Sequence, residues 1–346
     1  GETVTCTFTN TQRGTIIVAK QTLPAGDLTA FDFTGDVNGS LRDGETAQAS
    51  VVPGQYTSTE TVPSGWDLTA ISCDDTDSTV TPPPVAAGGD GTATFNVSAG
   101  ETVTCTFTNS QRGQIEIRKQ TLPAGAPGAF DFTGDLGTFP LSDGGSTVLM
   151  DLPTGSYAVS ETDPVPAFDL TDITCDDSRS PTPSAVDIAN RTAVVELDPA
   201  EFVICSFINS QRAELNISVD VSGYALGTEF DFSTGGGLDP VSFSLQDGET
   251  QTFSNLVAGQ TYTVNEQPPP NWVLDEVICS EPPPVCEVGS VIVTPEPGQT
   301  VNATFRFRVG VSGSIEPQNI PSLNGWGLGG LIGFFGLAVM RLWRRR

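Results

Sequence analysis

Apolar and polar side chains alternate along this chain in short runs. Across residues 102–109, Val103, Cys105 and Phe107 fall on one face, and Thr102, Thr104, Thr106 and Thr108 on the other. That is the period of a half-buried strand. Comparable runs cover residues 15–21, 30–35, the segment around 47–52, 55–62, 66–73 and 92–97. Turn-forming residues separate them: Arg42-Asp43-Gly44, Pro53-Gly54, Pro63-Ser64-Gly65 and the triple proline at 82–84. Seven short antiparallel strands in about 100 residues predict a β-sandwich. No convincing helix is expected before residue 325.

The pattern is itself repeated. GETVTCTFTNTQRG at 1–14 returns as GETVTCTFTNSQRG at 100–113, and more loosely as AEFVICSFINSQRA at 200–213. KQTLPAG occurs at 20–26 and 119–125, and FDFTGD at 31–36 and 130–135, with FDFSTG at 230–235. Such self-similarity marks a tandem array. The expected units are 14–112, 113–212 and 213–310, followed by a linker at 311–319 and a tail at 320–346. Residues 1–13 read as the last strand of a preceding unit, and the chain as the C-terminal part of a longer protein. The predicted class is all-β: tandem Ig-like sandwiches plus one C-terminal transmembrane helix.

Charge and composition narrow the function. There are 42 acidic and 15 basic side chains, a net charge of −27. Four of the basic residues (Arg341, Arg344, Arg345 and Arg346) lie at the very end. A chain this acidic does not bind a nucleic-acid backbone. Histidine is absent, which excludes Ser-His-Asp and Cys-His nucleophilic sites and His-ligated metals. Scattered Asp and Glu carry no glycosidase signature, so no catalysis on a substrate is expected. The clusters at Asp74, Asp75 and Asp77 and at Asp176 and Asp177 offer oxygen ligands of the kind Ca²⁺ takes, but without EF-hand spacing. They read as solvated turns; no cofactor or metal is expected, Ca²⁺ being the minor alternative.

The repeats also account for seven cysteines, an odd number. Cys73 and Cys105 in unit one match Cys175 and Cys205 in unit two. In unit three Cys279 keeps the first place, Ala303 takes the second, and Cys286 appears nearby. The expected disulfides are therefore Cys73–Cys105, Cys175–Cys205 and a relocated Cys279–Cys286, in an oxidising compartment. Cys6 belongs with the preceding unit.

Unit one has a first strand ending in Lys20, a Tyr56-Thr-Ser-Thr-Glu60-Thr-Val-Pro63 box and a last strand ending in Asn109. Unit two has Lys119, Tyr157-Ala-Val-Ser-Glu161-Thr-Asp-Pro164 and Asn209. With these residues the units resemble the prealbumin-like domains of the Cna B-type/SpaA-like group of bacterial adhesins and pilins. The resemblance implies an intramolecular isopeptide bond from Lys20 to Asn109, and from Lys119 to Asn209, assisted by Glu60 and Glu161. Independent features agree. Lys20 and Lys119 are the only lysines in the chain, and strand parity turns each Lys, Glu and Asn toward the apolar side. The alternative is a buried Lys–Glu ion pair with Asn hydrogen-bonded nearby. Unit three has Val219 and Phe307 in place of Lys and Asn and keeps only Glu266, so no isopeptide bond is expected there.

From Glu316 to Arg341 the tail is uncharged, with an apolar run inside 326–340 and terminal arginines. It reads as a membrane span over 325–343, with the basic end cytoplasmic and the repeats outside. Ile320, Pro321, Ser322, Leu323, Trp326 and Gly327 resemble the IPTL-type C-terminal sorting signal of Gram-negative bacteria, with Ser322 where Thr is usual. That implies a membrane sorting protease as partner and removal or exchange of the tail; a permanent anchor is the alternative. The whole reads as a stalk of the bacterial envelope. Two alternatives are an adhesin binding a glycan or host protein, and a spacer for an enzyme domain upstream. Tyr56, Trp66, Tyr157, Phe168, Tyr262 and Trp272 recur at equivalent places and are expected in the core, a sugar-stacking platform being the alternative.

Overall fold

The computed structural model describes residues 1–80, 89–177, 180–223, 227–280, 285–287 and 289–310. The linker, the sorting motif and the apolar tail lie outside the described residues. Among those described, no helix is long and apolar enough to cross a membrane.

The first repeat contains β1 (Gly14–Leu23), β2 (Phe31–Gly35), β3 (Gly39–Leu41), β4 (Thr46–Val51), β5 (Gly54–Thr61), β6 (Trp66–Cys73), β7 (Thr79–Val80), β8 (Gly91–Val97) and β9 (Thr102–Gln111). They form two sheets, in the orders β4-β1-β9-β6 and β3-β2-β5-β8-β7. Both orders recur in the second and third repeats. The expectation of seven strands per repeat is corrected to nine. The additional ones, β3 and β7, span three and two residues, too few for an alternating period to be read.

Each repeat has its own core, built from alternate residues of facing sheets. In the first, Ile16, Val18, Val103, Cys105 and Phe107 meet Phe31, Phe33, Ala93 and Phe95. The six recurrent aromatics are core residues. Trp66, Phe168 and Tyr262 are buried, and Tyr56, Tyr157 and Trp272 pack against the same clusters. The recurrent FDFTG motif ends in glycine for a backbone reason. Gly35 has φ +113°, and a Cβ there would sit 2.5 Å from the Thr57 carbonyl oxygen.

The central pair of the first sheet fixes the site. β1 and β9 run parallel, with Lys20 opposite Phe107 and Thr22 opposite Asn109. Because β1 and β9 are the first and last strands, both ends of the repeat lie in one ladder. Residues 1–13, expected as a strand, form none and lie exposed.

The disulfides join Cys73 to Cys105, Cys175 to Cys205 and Cys279 to Cys286, and Cys6 is free. The first two link neighbouring strands of one sheet. The third differs: Cys279 and Cys286 lie on strands of opposite sheets, so it staples the sandwich faces together.

Candidate functional site

The parity of β1, β5 and β9 brings three polar side chains into the core at one level. Lys20 is 1 % exposed, and Glu60 and Asn109 are 0 % exposed. Lys20 Nζ lies 2.9 Å from Asn109 Oδ1 and 3.5 Å from Glu60 Oε1. It also donates to the carbonyls of Gln21 and Phe107 at 2.6 and 3.2 Å. The Phe31 ring lies below it, 4.1 Å from Nζ to the centroid.

The second repeat rebuilds the arrangement. Lys119 and Asn209 are fully buried and Glu161 nearly so. Lys119 Nζ lies 3.6 Å from Glu161 Oε2, donates to the carbonyls of Gln120 and Phe207, and sits over the Phe130 ring. Here Asn209 Nδ2 donates to Glu161 Oε1. In the first site the amide oxygen faces the amine; in the second the amide nitrogen faces the carboxyl. Glu60 Oε1 and Oε2, Asn109 Nδ2, Glu161 Oε2 and Asn209 Oδ1 are buried without a hydrogen-bond partner. Each site is thus short of hydrogen bonds among the described residues.

Burial sets the protonation chemistry. Desolvation lowers Lys20 and Lys119 from 10.5 to about 8, against the opposing pull of Glu60 and Glu161. Desolvation likewise raises Glu60 from 4.5 to about 7, opposed by Lys20, and raises Glu161. Two pKa values far apart in water come to lie about one unit apart in the first site. Burial thus favours passing the proton from the Lys20 ammonium to the Glu60 carboxylate, which gives a neutral amine and a neutral carboxylic acid. Neutral lysine is a nucleophile, and neutral glutamic acid is a hydrogen-bond donor and proton source.

In the third repeat Val219 and Phe307 are buried at the Lys and Asn places. The Phe307 ring stacks on Phe230 at 4.1 Å between centroids, filling the space over the ring that corresponds to Phe31. Glu266 stays half-buried, its Oε1 without a partner, and desolvation raises it to about 7.

Sequence reasoning missed the rings beneath the lysines and the carbonyls around Nζ. It also missed Asp43 and Asp143, which lie near the lysines while accepting backbone N–H from Thr22 and Gly26, and from Thr121 and Gly125. The recurring FDF and Asp-Gly motifs carried that signal. The acidic turn of the first repeat does gather Asp75, Asp77 and Glu101 within 4.8 Å. Asp75 is held there by Ser78 through both its N–H and its hydroxyl, the bonding of a self-contained turn.

The fold and sites together define a protein of tandem two-sheet β-sandwiches with polar triads inside two of them. Residues 16–111 match the family model of a prealbumin-like fold domain, SpaA_4. The second and third repeats share its strand order, so the same fold extends through residue 309. No curated protein sequence matches the chain. Among solved structures, the Bacillus anthracis TIE protein is similar at 16 % identity, covering 86 % of this chain and 51 % of that one, with a TM-score of 0.36. The pilus adhesin SpaC from Lactobacillus rhamnosus GG is similar at 14 % identity over 86 % of this chain and 44 % of that one, TM-score 0.26. The major pilin from Streptococcus pyogenes is similar at 13 % identity over 87 % and 99 %, TM-score 0.25. This chain spans about half the length of the TIE protein. Likenesses this loose carry no argument about function.

Proposed function

We propose that the chain is a load-bearing stalk of the bacterial cell surface whose first two repeats brace themselves with Lys20–Asn109 and Lys119–Asn209 amide bonds. The observation that carries this reading is the pair of buried Lys–Glu–Asn triads, together with the joint replacement of Lys and Asn in the third repeat.

The chemistry needs no co-reactant. Neutral Lys20 Nζ attacks Asn109 Cγ while protonated Glu60 donates to the Oδ1 on which negative charge develops. The bond from Cγ to Nδ2 then breaks. Glu60 relays the proton lost by Nζ to the departing nitrogen, which leaves as ammonia. One amide replaces another, and Glu60 ends as it began. Glu161, to which Asn209 Nδ2 already donates, is placed to pass the proton to that departing nitrogen in the second site. Each site reacts once.

The topology gives the bond its mechanical value. Tension enters at Gly14 and leaves at Gln111, which shears β1 against the parallel β9. An amide between Lys20 and Asn109 carries that load directly and leaves the 88 residues between them unloaded. The apolar span and IPTL-like motif support export with the repeats outside and handling of the tail by a membrane sorting protease in a Gram-negative envelope. The test is intact mass under reducing, unfolding conditions. Two bonds remove two ammonias, each about 17 Da. Lys20→Ala and Lys119→Ala each restore one; an unmodified wild-type mass rejects the braced-stalk reading.

A further inference from the structure

One residue separates the last strand of each repeat from the first strand of the next: Arg112 between Gln111 and Gly113, and Arg212 between Gln211 and Ala213. A linker that short limits freedom but does not by itself fix an angle, and relative motion is the default between domains of one chain. The two arginines supply the missing constraint.

Arg112 faces both ways. Its Nε and Nη2 donate to the two carboxylate oxygens of Asp67, in its own repeat, at 2.9 and 2.8 Å. Its Nη1 donates across the junction to the Asp151 carbonyl at 3.1 Å, with Asp151 Oδ2 at 3.4 Å. The Arg112 N–H donates back to Gly65 at 2.9 Å. Arg212 repeats this. It holds both oxygens of Asp169 at 2.9 and 2.7 Å, reaches the Asn255 carbonyl at 3.3 Å, and donates its N–H to Ala167.

The receiving carbonyls are specially placed. Asp151 and Asn255 are left-handed, φ 59° and 58°. Each lies where an edge strand slips register against the incoming first strand, the geometry of a β-bulge. Asp and Asn tolerate this conformation better than most side chains do. A second contact flanks the same first strand on its other side. Left-handed Ala200 donates its N–H to the Gln111 carbonyl at 3.0 Å, and Gly298 donates to Gln211 at 2.9 Å. The end of the outgoing strand and its arginine are therefore held by both neighbours of the incoming strand at both junctions.

We propose that Arg112 and Arg212 are junction locks that fix the angle between successive repeats, making the three sandwiches one stiff rod. The fork is the reason for arginine. Two donors are saturated by the Asp of the outgoing repeat, and a third is aimed at the incoming one; a lysine cannot do both in a fixed plane. The lock also places a cation between two acidic bodies that otherwise repel.

The test measures the distance distribution between probes on unnatural amino acids at the exposed positions Asp32 and Asp131 in the full chain. The wild type is expected to give one narrow distribution. Arg112→Ala should roughly double its width, and Arg112→Lys should broaden it as well. Asp151→Gly keeps both the carbonyl and the left-handed backbone, so it should stay narrow. Retention of the Cys73–Cys105 and Cys175–Cys205 disulfides checks that each variant is folded. A broad wild-type distribution, or an Arg112→Ala chain as narrow as wild type, overturns the lock.

Discussion

The first and third repeats have one fold and two interiors. In the first, a lysine, a glutamate and an asparagine occupy the space between the sheets; in the third, valine and stacked phenylalanines fill it. The Lys and the Asn are absent together, and neither is absent alone. A buried lysine without its partners costs several kcal/mol, whereas an apolar replacement of the whole pair is close to neutral or stabilising. The difference is what the proposed joint action of Lys and Asn predicts. It also shows that the sandwich does not need them in order to fold.

The strongest way to break the comparison is to make a half-site. Lys20→Ala removes the nucleophile and leaves Glu60 and Asn109 buried without their partner. The expected cost to the first repeat is on the order of 5 kcal/mol or more, combining an orphaned buried pair with loss of a long-loop cross-link. Calorimetry should show one transition falling by well over 10 °C while the others stay in place. The reverse experiment builds the site where it is missing. Val219→Lys with Phe307→Asn places the pair beside the waiting Glu266. The double variant should lose one further ammonia, whereas Val219→Lys alone should destabilise the third repeat by about 3–5 kcal/mol. No further loss of mass in a folded double variant would show that the deeper burial of Glu60 and Glu161 than of Glu266, not the three residue types alone, makes the site reactive.

A smaller effect is expected from the disulfides. Cys73–Cys105 closes a separation of 32 residues and Cys279–Cys286 one of 7. On chain entropy the first contributes about 4 kcal/mol and the second about 2.5 kcal/mol. The third repeat has no cross-link between its first and last strands, so its staple between opposite sheets is its sole covalent brace among the described residues. Replacing Cys279 and Cys286 by Ala should lower the transition of that repeat alone, and proteolysis at low denaturant should then begin there.

Much of this was legible in the sequence. The 99-residue repeat, the Cys pairs and the Lys–Glu–Asn parity follow from periodicity and alignment, because a period-2 strand fixes which side chains face inward. The parts that were not legible depend on the third dimension. The strands Gly39–Leu41 and Thr79–Val80 are too short to show a period. Phe31 and Phe130 read as ordinary core residues until the fold sets them under an ammonium group. Arg112 and Arg212 appear in the sequence only as part of the repeated Ser-Gln-Arg run; only the bulges at Asp151 and Asn255 show where the third donor goes.

The finest contrast rests on Glu266, left without the lysine that its counterparts face. Desolvation raises it to about 7, while in the unfolded chain it titrates near 4.5. Below pH 4.5 it is protonated in both states and costs nothing. As pH rises from 4.5 through 7 the unfolded state loses its proton first, so the third repeat loses stability across that window and levels off above it. With partial exposure screening the charge, the loss is about 1 kcal/mol. Glu266→Gln should remove the slope and raise the transition of the third repeat at pH 8 by a few degrees, with no change at pH 4. Glu60 is raised to the same value even though Lys20 beside it opposes the shift. A Lys20→Ala chain, without that opposition, should therefore show in its first repeat a fall that begins near pH 4.5 and continues to higher pH than the fall of the third. If the third repeat is flat across that window, Glu266 is solvated and the contrast between the two interiors lies in packing alone.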